Sequence, residues 1–242
     1  MKKSIRVSMI RLLGFSVLAL AATSLAQTRP PIVEQIAKAY GIDSWGQIEA
    51  IRYTWHAEFP GRKVARMWTW EPKTGKVSYE GPDKDGKPLK VSYLRSELAS
   101  QSDVVKNVVD PGFTNDNYWT LFPFHAFWDT SANVEDTGMQ KLPLGKGSAR
   151  EVAVKYSSGG YTPGDTWTLF VGADNRVKEF KYHRGGSVKP TNVIATWTDY
   201  KKAGPLLFAM DHRGTADGKP LRVFLTDVAV KVTGSDAWMD AK

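Results

Sequence analysis

The chain has 242 residues, 33 of them basic and 25 acidic, for a net charge of +8, and it contains no cysteine. That absence excludes disulfide staples, zinc–cysteine sites, thiol nucleophiles and a lipid-anchoring cysteine at once, so the fold must rest on its apolar core. The basic residues are scattered rather than run together, which argues against nucleic acid as a partner.

The first residues read as a leader. Lys2, Lys3, Arg6 and Arg11 precede the apolar run Leu12 to Ala22, and Ser24 and Ala26 supply the small residues before a cut ahead of Gln27. The run has eleven residues, short of the ~20 that a membrane-spanning helix needs, and no later stretch comes closer. The expectation is a signal peptide over 1–26, then one exported domain over 27–242, periplasmic or secreted, with no stable membrane span. Without the four basic residues of the leader, the net charge falls from +8 to +4.

A short helix follows. Pro30 and Pro31 suit its first turn, Ile32, Ile36 and Ala37 share one face, Tyr40 continues it, and Gly41 is the expected stop. The period then changes. In IRYTWHAEF, Ile51, Tyr53, Trp55, Ala57 and Phe59 alternate with Arg52, Thr54, His56 and Glu58, the mark of a strand with one covered face. Strand-like runs follow from RKVARMWTWEP to LKVSYL and again from SAREVAVKYS to LRVFLTDVAVKV. Asp85-Gly86 and Asp217-Gly218 give hairpin signals between them.

The region from about Arg95 to Asp129 breaks this rhythm. Leu98, Val104, Val105 and Val108 have helical spacing, with Pro111-Gly112 expected to end the helix. Next comes YWTLFPFHAFW, six aromatic rings in eleven positions, where Pro123 is expected to interrupt any continuous helix. The fold class is therefore α+β, mainly antiparallel. It is a curved, unclosed sheet of about 9–11 strands covered by an N-terminal helix and a central helical insertion.

The order of elements resembles the LolA/LolB-like family of periplasmic lipoprotein carriers. The motifs are the helix ending in AYGIDSW, the strand QIEAIRYTW, and the hairpin YTPGDTWTLFVGADNRVKEFKYHR. The resemblance implies an unclosed β-barrel lidded by helices, with an apolar cavity that accepts acyl chains.

Catalytic signals are weak by comparison. There is no G-x-S-x-G elbow and no phosphate loop, and the four histidines show no metal-ligand spacing. His56 falls on the polar side of its strand, His183 and His212 are placed near strand ends, and His125 has no partner visible in sequence. No catalytic residue, metal or cofactor is expected. The aromatic residues carry the functional expectation: Trp55, Trp68, Tyr118, Trp119, Phe122, Phe124, Phe127, Trp128, Trp167 and Trp197 as the lining or lid of an apolar cavity. The expected partner is a lipid or other acylated or apolar small molecule, carried across the periplasm. The alternatives are an envelope protein that docks on the aromatic insertion, or an unrecognised hydrolase.

Overall fold

The computed structural model describes residues 29–158, 161, 163–186 and 191–242. The expected leader and its cleavage point lie outside them.

Helix α1 (Pro31–Tyr40) forms as its sequence dictates. Pro31 occupies the first turn, Ile32, Val33, Ile36, Ala37 and Tyr40 are buried, and Gly41 ends the helix at φ 100°. Its N–H returns to the carbonyls of Ala37 and Lys38, which satisfies the last turn in the αL manner. A 3-10 turn, Ile42–Gln47, carries the chain into the sheet.

The first four strands form a meander: β1 (Ile48–Phe59), β2 (Arg62–Glu71), β3 (Lys76–Pro82) and β4 (Pro88–Leu94). After the helical insertion come β5 (Asn133–Lys141), β6 (Ser148–Lys155), β7 (Thr166–Val171), β8 (Val177–His183) and β9 (Asn192–Thr196). The last strands are β10 (Thr198–Ala203), β11 (Leu206–Ala216), β12 (Lys219–Val232) and β13 (Met239–Asp240). All pairings are antiparallel, in the order β4-β3-β2-β1-β12-β11-β9-β8-β7-β6-β5, with β10 on β11 and β13 on β12. Among the described residues the end strands β4 and β5 do not pair, so the sheet stays open.

This order explains the position of the insertion. β4 and β5 are consecutive in sequence yet lie at opposite edges of the sheet. The chain between them must cross the open mouth, and it crosses as helix. Helix α2 (Asp110–Trp128) has 19 residues, about 28 Å of rise. It packs against α1 and β11 over the concave face.

Several expectations need correction. Pro111-Gly112 does not end a helix: a π-helical turn, Val105–Val109, runs straight into α2, and Pro111 sits at the junction, in the first turn of α2. The interruption expected at Pro123 is present: Leu121, two residues before it, leaves helical geometry (φ −123°, ψ 19°), so α2 is two helical stretches joined across a kink. The open antiparallel sheet with its N-terminal and central helices is as expected, but among the described residues it has thirteen strands, beyond the expected nine to eleven. One extra is β5, whose NVEDTGMQK lacks alternation because only Val134 is buried and a bulge falls between Asp136 and Gly138. Another arises because TNVIATWTDYK breaks at Trp197 into β9 and β10. Of the two Asp-Gly turns, only Asp217-Gly218 has both residues at positive φ, closing the Ala216–Lys219 pair. Asp83 caps the longer Asp85-Gly86 loop through the amides of Asp85 and Lys87.

The core lies between the sheet and the two helices. Trp68, Trp197, Tyr53, Phe113, Phe122, Phe124 and Phe180 are almost fully buried there. The concave face is therefore filled with rings rather than hollow along its length.

Candidate functional site

Three carboxylates on or just after α2 fix where the helix lies. Asp116 is fully buried and accepts from Arg66 Nε (2.7 Å), Arg66 Nη2 (2.5 Å), Trp68 Nε1 (2.8 Å) and Asn115 Nδ2 (3.0 Å). Burial pushes its proton affinity up, but four donors on two oxygens leave no lone pair for a proton, and the carboxylate is the form this geometry fits. Asp110, also fully buried, accepts from Tyr93 (2.7 Å), Arg95 Nε (2.9 Å) and Tyr161 (2.6 Å). Asp129, just past the helix, accepts from Tyr118 (2.9 Å) and Tyr156 (2.8 Å) and lies 3.1 Å from His125 Nδ1. Burial opposes the charge on Asp129, yet His125 and the two phenols together hold its carboxyl below the usual range. Arg29 completes this end by donating to the carbonyls of Ala126 (2.5 Å) and Asp129 (2.7 Å), where α2 has no donors of its own.

Between this flank of α2 and the far half of the sheet is a cleft of about 460 Å³. Trp119 and Trp167 form its apolar side. Tyr118, Tyr156, Tyr161, Tyr182, Asp129, Asp165 and Arg184 contribute most of its polar side, with Thr114, Asn115, Ser131 and Ser158 at the margins. The indoles are preset by packing: Trp167 stacks on Phe122 at 4.2 Å, and Trp119 meets Phe180 edge-on at 5.3 Å. Burial raises the Tyr118 and Tyr156 phenols well above their ordinary value and Tyr161 to about 12, with Asp129 and Asp110 adding to it. All three remain hydroxyl donors at neutral pH. A second, flatter groove of about 540 Å³ lies on the opposite face, where Thr54 and Met67 alternate with Tyr53 and Trp68.

Of the ten aromatic residues singled out in sequence, Tyr118, Trp119 and Trp167 line the cleft. Trp68 is a buried donor to Asp116, Trp55 lies under the Arg66 guanidinium at 4.5 Å, and Trp197 packs on His212 at 4.3 Å. Phe122 and Phe124 are fully buried. Phe127 and Trp128 are half-buried, Trp128 being braced by Trp45 at 4.8 Å, a ring the sequence reading did not single out. Tyr156, Tyr161, Tyr182, Asp129, Asp165 and Arg184 were also missed. One signal for them was present: Phe180, Tyr182 and Arg184 alternate in KEFKYHR, which places all three on one face.

The histidines differ from expectation in two cases. His212 does not sit near a strand end but is fully buried inside β11. His125 does have partners: Nδ1 faces Asp129, Nε2 lies 2.8 Å from Asn117 Oδ1, and the ring stacks on Tyr118 at 3.8 Å. Both ring nitrogens are thereby engaged by protein atoms, which leaves the ring to position Tyr118 and Asp129. His56 stacks on Phe224 at 4.4 Å on the outer face. Among the described residues no cluster of three metal-ligating side chains occurs, and no helix is long and apolar enough to cross a membrane.

The architecture is thus an open antiparallel half-barrel, bridged by a helix, with an amphipathic cleft at one end of its concave side. No protein-family model and no curated protein matches the chain. Among solved structures, a DUF1329 family protein from Desulfovibrio piger is similar with a TM-score of 0.43 and 11% identity, covering 87% of this chain and 97% of that one. The lipoprotein LppX of Mycobacterium tuberculosis is similar with a TM-score of 0.31 and 8% identity, covering 82% and 95%. Scores below 0.5 fix neither a fold family nor a ligand for this chain.

Proposed function

We propose that this chain is an exported binding protein that holds an amphipathic small molecule, a lipid or acylated compound, in the cleft beside α2. The observation that carries the reading is the cleft itself: about 460 Å³, with braced indoles on one side and phenols, carboxylates and a guanidinium on the other. Sites for small ligands have this size and this division between an apolar wall and a few placed polar groups. The ring-filled middle of the concave face moves the binding region from the centre of the sheet to its end.

The other two functions considered from sequence gain less support. Docking of an envelope protein on the aromatic insertion needs its rings turned outward, but none of the six between Tyr118 and Trp128 is exposed. Hydrolysis needs an unengaged base facing the cleft, but the nitrogens of His125 are taken up by protein atoms, and the Asp129 and Asp165 carboxylates that line it already accept from protein donors.

The test is extraction of the purified protein for lipid mass spectrometry, followed by titration of delipidated protein with single-chain amphiphiles, read by tryptophan fluorescence. A copurifying amphiphile, or saturable binding that a Trp119→Ala variant weakens about tenfold, is the expected result. Failure of both, with no copurifying amphiphile and no saturable binding, would overturn the reading.

A further inference from the structure

The polar half of the cleft is unevenly satisfied. The phenols of Tyr118 and Tyr156 donate to Asp129, Tyr161 donates to Asp110, and Tyr182 donates to Asp165 at 2.9 Å. Asp165 also accepts the Gly185 amide at 2.8 Å. Each carboxylate in or behind the cleft therefore has its donors in place. Arg184 is the exception. Its Nε is shut off from solvent with no hydrogen-bond partner among the described residues. Other unpartnered buried polar atoms exist, among them Tyr53 Oη, Trp55 Nε1 and His212 Nε2, but among the described residues only that of Arg184 belongs to a cleft-lining residue.

A guanidinium stays charged at any relevant pH, and a buried donor without an acceptor is costly. The partner that satisfies it best is an oxyanion, which can take two parallel N–H bonds from the fork. The position on the chain adds an orientation. Phe180 is fully buried, Tyr182 is half-buried, and Arg184 follows two residues later just past the end of β8. That face of β8 passes from apolar core to cation in four residues. We infer that the cleft selects amphiphiles with an oxyanion headgroup, carboxylate or phosphate, with Arg184 as the counter-ion and the chain lying toward Trp119 and Trp167. The inference rests on the reading of the cleft as an amphiphile site and adds the headgroup class to it.

The test is calorimetric titration of the delipidated full chain at low salt with decanoate, decyl phosphate, decanol and decyltrimethylammonium, each kept below its micellar concentration. Acetate and inorganic phosphate serve as chainless controls. Wild type is expected to bind decanoate or decyl phosphate at least tenfold more tightly than decanol, and the stronger of the two identifies the headgroup. Arg184→Gln is expected to lose that preference, and Arg184→Lys to keep part of it. Equal or tighter binding of decyltrimethylammonium, or a preference that survives Arg184→Gln, would overturn the inference and leave the amphiphile reading standing. Binding of no decyl compound, or binding of the chainless controls as tightly as the decyl anions, would overturn the amphiphile reading itself. Should circular dichroism show Arg184→Gln unfolded, the wild-type ranking of anion against alcohol and ammonium decides the matter alone.

Discussion

Asp116 in the middle of α2 and Arg66 in β2, fifty residues apart in sequence, close a two-pronged ion pair at 2.7 and 2.5 Å. The carboxylate is fully buried and the guanidinium side chain is about one-fifth exposed. The pair ties the bridging helix to the first half of the sheet. The cleft lies on the other flank of the same helix, so its width depends on this tie.

Removing one partner should be far worse than removing both. Arg66→Met leaves a buried carboxylate with two donors lost, and a cost of about 3–5 kcal/mol is expected in urea unfolding. Asp116→Leu combined with Arg66→Met should recover much of that loss. A double-mutant cycle with no coupling would show that the pair does not hold the helix.

Stability should fall with acid because of His212. Burial lowers its folded pKa from 6.5 to about 4, against which the Thr196 carbonyl and the Asp211 charge act weakly. The unfolded chain therefore binds a proton that the folded chain does not. The contribution is complete above pH 6.5 and is lost as the pH falls from there through about 4, by at most about 3 kcal/mol. His212→Phe should flatten the profile in that window. Asp129, whose folded pKa is depressed, acts only at lower pH, below the ordinary carboxylate value. Equilibrium unfolding at half-unit pH steps separates the two.

Gly41 and Gly61 should respond differently to alanine. Both have positive φ, at 100° and 74°, but a Cβ on Gly41 would lie 2.4 Å from the Pro205 carbonyl oxygen, whereas one on Gly61 meets nothing. Gly61→Ala should cost about 1 kcal/mol from backbone strain alone. Gly41→Ala should cost more, since the turn after α1 must also move away from the β10–β11 hairpin. Equal shifts in thermal midpoint would contradict the close approach.

Tyr156→Phe removes one of the donors on Asp129 and leaves His125 and Tyr118 in place. A loss of about 1.5–3 kcal/mol is expected, the scale of a hydrogen bond to a charged group. Trp167→Ala removes the ring held between Phe122 and Phe180 and should cost about 3–5 kcal/mol. Denaturant unfolding of the two variants checks the order.

Legibility followed the range of the interactions. Period-two alternation exposed β1 and most of the other strands, because a strand with one covered face writes its environment into its own sequence. The split of TNVIATWTDYK and the weak edge strand β5 were hidden, because neighbours rather than local pattern decide them. Pro123 marked a real break, the kink at Leu121, whereas Pro111 pointed to a helix end that is not there: a π turn before it carries the helix through, because burial on nearly every side outweighs the local cost.

By itself, the sequence determined an antiparallel sheet interrupted once by an aromatic-rich helical segment, since hydrophobic period and turn chemistry are local properties. Only the tertiary structure decided which rings are core and which line a cleft. Trp68, Trp119, Trp167 and Trp197 look alike along the chain, but their surroundings come from strands and helices tens of residues away. Asp129, Tyr156 and Arg184 line one cleft for the same reason: β4 and β5 lie at opposite edges of the sheet, and the helix between them must cross the opening.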